Sequence, residues 1–201
     1  MAMMAPDPAV PLRERRRVTD MRRVQLRAVK LFEEHGYEEV SVERVAEAAG
    51  VSPVSIYRWF GAKERLVLWD DYDPGLLAAV AERLADLHPL EAVRDAVIAE
   101  LGRVYDADRD LVLARTKLLF REPSLLAAAM RDAWAMQEAL VELFGREQVA
   151  GDGSAHRVLA GAAVGVLTVA IDGWQRQDGH RPLAEHVDEG FEVLRAVSWT
   201  R

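Results

Sequence analysis

SVERVAEAAGVSPVSIYRWFGAK, residues 41–63, reads as two short helices joined by a tight turn. Val42, Val45, Ala46 and Ala49 recur at i, i+3, i+4 and i+7, the spacing of one helix face. Ser41 stands just before that run, where its hydroxyl can accept from an orphan backbone N–H. Gly50 supplies the left-handed geometry that ends a helix abruptly. Ser52-Pro53 then restarts one, a capping hydroxyl followed by proline at the first helical position, where its missing N–H is not needed. Ile56 and Phe60, four apart, point inward. Pro53, Val54, Ser55, Tyr57, Arg58 and Trp59 are left to face outward or lie along the rim. A short helix offering that surface, braced by another across a glycine turn, is a helix-turn-helix, whose second helix enters a DNA major groove.

Working outward, residues 20–35 turn helical, with Val24, Ala28, Leu31 and Phe32 on one face and Gly36 as the stop. That helix completes a three-helix core with Val45, Ile56 and Phe60. Residues 1–17 hold three prolines and no periodicity, and read as a mobile, disordered basic arm. Its RERRR run, Arg13–Arg17, is suited to the phosphate backbone or the minor groove. Residues 63–69 begin a connecting helix.

The 201 residues fit a small head joined to a larger body and can bury a substantial core. There is no cysteine, which excludes disulfides, thiol catalysis and cysteine-ligated zinc and agrees with a reducing cytoplasm. The first residues lack the apolar core of a signal peptide. The longest apolar run, residues 158–171, falls short of the roughly 18–20 residues of a membrane span, so the chain reads as soluble and cytoplasmic, without a membrane partner. Net charge is −7, at first sight unsuited to a polyanion. Its distribution reverses that view. Residues 1–70 carry 12 Lys/Arg against 11 Asp/Glu, whereas residues 71–201 carry 14 against 22. Residues 13–30 alone have eight basic and two acidic side chains. A near-neutral head with a basic stretch, attached to an acidic body, suits a protein that touches DNA only with its head.

Beyond Asp73-Pro74-Gly75 the texture is alanine- and leucine-rich helix with no strand signal. Helices are predicted at about 75–87, 89–105, 108–120, 123–146, 155–177 and 182–197, with GDGS at 151–154 as a loop. The fold class is all-α. A disordered arm spans 1–17, a helix-turn-helix domain 18–66, and a ligand-binding and dimerisation bundle 67–201. The stretch LAGAAVGVLTVAI is apolar all round and is expected to be buried on most sides. Gly161 and Gly165, with Val169 one turn on, let another backbone come close, as bundle core or as subunit contact.

Residues 46–66, AEAAGVSPVSIYRWFGAKERL, resemble the DNA-binding signature of the TetR family of transcriptional regulators. The resemblance extends over residues 19–66 and includes Phe32, Gly36, Ala46, Gly50, Val51, Tyr57, Phe60 and Lys63. It implies a homodimer on a palindromic operator, paired through the last two long helices, with repression as the usual mode. Carried over, Tyr57 is a phosphate contact and Lys63 anchors the start of the next helix on the DNA backbone. Ser41 and Arg44 hold a phosphate from the flank, Ser55 meets a phosphate or base edge, and Val54 a thymine methyl. Trp59 stands where relatives often carry histidine or tyrosine. It either packs on the sugar-phosphate chain or props up the head.

VLWDDYDP at 67–74, ARTKLLFREPSLLAAAMRDAW at 114–134 and the apolar stretch near the end are similar to regulators that bind acyl-CoA-like ligands, the mycofactocin-system regulator among them. An acyl tunnel would draw on Trp69, Tyr72, Leu101, Tyr105, Leu119, Met130, Trp134 and Trp174. Arg115, with Lys117, Arg121 and Arg131, would meet CoA phosphates. The bland reading is that these aromatics are core and these arginines solvated. A drug-type cavity with Asp70, Asp71 or Asp172 is the alternative, as is a DNA-binding module without a sensor. No cofactor, metal or catalytic residue is expected. His35, His88, His156, His180 and His186 are scattered, and no metalloprotease motif, phosphate-cradling glycine loop or nucleophile elbow occurs.

Overall fold

The structure, a computed structural model, describes residues 12–69 and 73–198, without the side chains of 12, 14, 15, 73, 74, 103–107, 197 and 198. The described residues form α1 (Leu12–His35), α2 (Val42–Ala49), α3 (Pro53–Phe60), α4 (Arg65–Leu68), α5 (Asp73–Arg83), α6 (Pro89–Arg121), α7 (Pro123–Arg146), α8 (Gly153–Arg176) and α9 (Leu183–Ser198), and no strand. They divide into two compact units, Met1–Asp71 and Tyr72–Arg201. The fold is all-α, as the periodicity requires.

In the first unit α1 packs on α2 and α4, and α2 on α3. Val24, Ala28 and Phe32 from α1 meet Val45, Ala46, Ile56, Phe60, Leu66 and Val67, all buried. Tyr37 closes the end of this core, its ring edge-on to Phe32 at 5.0 Å. Buried Gln25 donates from Nε2 to the Trp69 carbonyl at 2.8 Å. Trp69 itself stands edge-on to Phe60, with centroids 5.8 Å apart. These contacts draw the chain through Trp69 into the first unit, beyond the expected boundary at residue 66.

Helix α1 starts at Leu12, so the expected disordered arm is corrected over residues 12–17, which are helical. Leucine, arginine and glutamate are strong helix formers, and no glycine or proline follows Pro11 until Gly36. Residues 1–11 of that arm lie outside the described residues.

In the second unit α6 is the long spine, packed against α5, α7, α8 and α9, while α8 also packs on α7 and α9. The helices expected at 89–105 and 108–120 are one helix of 33 residues. No proline or glycine lies between Gly102 and Arg121 to force a break. The core joins Val93 and Val97 to Phe144, Trp174, Val187 and Phe191, with small Ala96, Ala160, Ala163 and Ala170 between. Gly190 permits the closest approach of α9 to α8, because a Cβ there would stand 2.7 Å from Cγ1 of Val166. Asp152 starts α8 two residues before the expected Ala155, its carboxylate accepting from the backbone N–H of Ser154 and Ala155, each at 3.0 Å. Those N–H groups favour the ionised form and hold the Asp152 carboxyl below the usual range.

The α8–α9 joint is tied down from several directions. Gly179 adopts φ 63° against the Trp174 indole, whose Nε1 donates to the Arg181 carbonyl at 3.1 Å. From α6, Arg109 donates to the Gly179 carbonyl at 2.5 Å, and Lys117 pairs with Asp178 at 2.5 Å.

Candidate nucleic-acid interface

The N-cap of α2 is Ser41, which accepts from the Arg44 backbone N–H at 3.2 Å. Gly50 closes α2 at φ 68°, its N–H directed at the carbonyls of Ala46 and Glu47. Two residues later Ser52 caps α3, accepting from the Ser55 N–H at 3.1 Å, with the two serine hydroxyls 2.9 Å apart. Pro53 occupies the first turn. Each element follows from its sequence: two capped helices of eight residues, with a left-handed glycine between them.

Ile56 and Phe60 are 1% and 6% exposed, so they fix which side of α3 faces the core. Val54 at 73% and Tyr57 at 49% stand on the other side, with exposed Arg58 between turns. Pro53, Ser55 and Trp59 are half-buried along the rim, and the Arg58 guanidinium lies 6.0 Å from the centre of the Trp59 ring. Ser41 and Arg44 are exposed on α2 and its cap. The face has one formal charge, Arg58, among eight residues of α3. Its means of contact are therefore hydroxyls, an apolar knob, aromatic edges and the partial positive charge of a capped helix start.

Lys63 is seated within the first unit. Its ammonium sits over the Tyr37 ring at 4.4 Å and the Phe32 ring at 5.8 Å, and donates to the Glu38 carbonyl at 3.4 Å. It stitches the start of α4 to the α1–α2 connection. The sequence reading missed Tyr37 and Glu38 as its seat; the YEE that follows Gly36 was the available signal.

The residues expected to line a ligand wall lie in different settings. Trp69 belongs to the first unit, where it packs on Phe60. Trp174 is 0% exposed and is core, because its indole fills the joint between α8 and α9. Met130 and Trp134 are 66% and 62% exposed on the outer side of α7. Leu101, Arg115 and Leu119 are half-buried on α6. Tyr72 and the Tyr105 side chain lie outside the described residues, as do Asp70 and Asp71. Of the expected phosphate cations, Lys117 pairs with Asp178, Arg121 with Glu122 at 3.0 Å, and Arg131 is exposed. Asp172 pairs with Arg176 within α8.

Among the described residues of the second unit, two cavities are open. One, of about 490 Å³, lies beside Leu101, Gly102, Arg109, Gly179 and Pro182. The other, about 960 Å³, runs between the start of α6 and the end of α9, along Leu90, Arg94, Leu159, Phe191 and Arg195. Among the described residues no His/Asp/Glu group is arranged to hold a metal ion.

Helix α8 differs from expectation in its exposure. An 18-residue window of it reaches a mean hydropathy of 1.5, as a membrane span would, yet only 22% of that window is buried. Val158 and Val169 are 69% and 72% exposed, Gly165 has open space beside it, and Val193 on α9 is 62% exposed. Gly161 lies under the Gln137 side chain of α7. One apolar face of the helix is therefore left uncovered.

Residues 27–68 match the family model for bacterial regulatory proteins of the tetR family, and residues 87–198 the model of the MftR C-terminal domain. The chain is 37% identical over 123 residues to the HTH-type transcriptional regulator TcmR of Streptomyces glaucescens, a match spanning 58% of this chain and 54% of TcmR. It is 26% identical over 188 residues to a Mycobacterium tuberculosis protein assigned as the mycofactocin biosynthesis transcriptional regulator MftR, spanning 90% of this chain and 92% of that one. Among solved structures it resembles Thermus thermophilus FadR, a transcriptional repressor in complex with lauroyl-CoA, at 24% identity and a TM-score of 0.57, covering 90% of this chain and 96% of FadR.

Proposed function

Because this chain belongs to the TetR family of bacterial transcriptional regulators, which bind DNA and are not enzymes, we propose that it is a cytoplasmic repressor that grips a palindromic operator as a homodimer. An acyl-CoA-like ligand bound in the second unit would release it.

The observation that carries the DNA reading is the exposed side of α3. Val54, Tyr57 and Arg58 stand out from a short helix whose other side is locked into a core by Ile56 and Phe60. In the groove, Val54 would meet a thymine methyl, and Tyr57, Ser41 and Arg44 would hold phosphates, setting register without reading sequence. With one charge on α3, base reading leans on apolar contact and DNA shape. A dimer is supported by the uncovered apolar side of α8 and by the family. Half-sites would lie about 34–36 Å apart, the distance between successive major grooves on one DNA face.

Release is an equilibrium: a ligand that prefers the splayed dimer withdraws the DNA-competent form, by no more than its difference in affinity between the two. The acyl-CoA class is supported by the matched MftR-type domain and by the likeness to FadR, which was solved with lauroyl-CoA. The test is selection of genomic fragments by the purified protein, then release with a panel of acyl-CoAs and flat cationic drugs. An enriched inverted repeat dissolved by an acyl-CoA is the expected result. Release by drugs alone would keep the DNA reading and replace the ligand, and no release by either would leave a DNA-binding module without a sensor.

A further inference from the structure

Met130 and Trp134 are large, apolar and exposed on α7, where an unpaired tryptophan is out of place on a solvated helix. Two contacts fix where they lie relative to α8. Glu138 accepts from Arg157 at 2.6 Å, and the Gln137 side chain covers Gly161. Successive helices joined by a short loop run antiparallel, so one turn back along α7 corresponds to one turn forward along α8. That register puts Trp134 beside the Gly161–Gly165 step and Met130 beside the turn that carries Val169. The uncovered apolar side therefore extends beyond α8 and α9 to include the edge of α7, with a bulky knob next to a notch at Gly165, where a Cβ would meet nothing within 4 Å.

We infer that Trp134, with Met130 behind it, is a subunit anchor that buries its indole against α8 of a second copy of the chain at Gly165, where nothing lies within 4 Å of a Cβ. This rests on the homodimer proposed above. A two-fold interface presents the same patch from both sides, so knob and notch on one patch satisfy each other twice. Continuity with the uncovered apolar side of α8 and α9, with Val158, Val169 and Val193 exposed on it, is what selects a second copy as the occupant. Area points the same way. A stable interface takes about 800 Å² per partner, and each tryptophan covers roughly 150–250 Å² of it. Tryptophan is also the residue type most enriched among residues that dominate interface energy. Helix α9, at 16 residues, offers only about 24 Å of length to the pairing.

The test is the dimer dissociation constant of the full chain, measured by sedimentation over a dilution series. Trp134→Ala should raise it at least tenfold without lowering the unfolding temperature of the protomer, since the side chain is largely exposed in it. Trp134→Phe should recover most of the affinity. Gly165→Leu, placed where nothing lies within 4 Å of a Cβ, should improve the helix and still weaken the dimer by filling the notch. Dissociation by Val169→Glu, with Trp134→Ala and Gly165→Leu both at the wild-type constant, would overturn the anchor and leave the α8–α9 pairing standing. If Val169→Glu also had no effect, the proposed dimer face itself would be overturned. Loss of lauroyl-CoA binding in Trp134→Ala at an unchanged dimer constant would return the residue to a ligand wall.

Discussion

Gly179 bears two local constraints at once. It sits in the left-handed region at φ 63°, and a Cβ there would stand 3.1 Å from the Trp174 indole. Both restrictions act together, so Gly179→Ala is expected to lower stability by about 1–2 kcal/mol from the backbone alone, read as a drop in the denaturant midpoint at unchanged slope. Lys63 makes a second prediction at this scale. Its ammonium over Tyr37 and Phe32 contributes on the order of 0.5–1 kcal/mol to the first unit. Lys63→Gln should therefore lower the thermal midpoint, without DNA present. An unchanged midpoint combined with a shallower dependence of DNA affinity on salt would make Lys63 a phosphate contact instead. The two serine caps are simpler, and Ser52→Ala should weaken α3 by about 1 kcal/mol.

At the scale of elements, the α8–α9 joint depends on ionised carboxylates. Lys117 beside Asp178 and Arg181 beside Glu189 hold those carboxyls below their usual range, as the Arg176 guanidinium does for Asp172. A depressed folded-state pKa stabilises above the unfolded value, near 4 for carboxylates, and that stabilisation is lost as pH falls through the folded value. Thermal stability should therefore fall as the pH drops below about 4 and stay flat from 6 to 8 as far as these groups are concerned. Asp178→Asn should shrink the acid loss, and raised salt should shrink it too, because the pair is exposed. The elements themselves were largely legible in the sequence. Ser41, Gly50, Ser52 and Pro53 are local signals that act within four residues, and each does in the structure what its chemistry requires. Legibility failed where a decision was non-local. Two helices were expected where α6 runs unbroken over 33 residues. Trp69, Trp134 and Trp174 look alike as aromatics at helical spacing, yet one packs in the first unit, one is exposed and one is core. Spacing along a chain says which residues share a face, and only tertiary packing says what that face meets.

For the molecule as a whole, two properties belong together: a first unit with α3 presented outward, and a second unit whose apolar α8 is incompletely covered. Two-fold pairing on the second property would set two copies of the first at a fixed separation, which one ligand-dependent change can spoil. The measurement that tests this most directly is the affinity of the wild-type chain and of Tyr57→Ala for the selected operator, at one salt concentration, with dimer mass followed in parallel. Each lost phosphate contact worth about 1.4 kcal/mol is tenfold, so two protomers should together weaken binding roughly hundredfold or more while the dimer mass stays the same. Operator binding within twofold of wild type would contradict the placement of α3 in the groove.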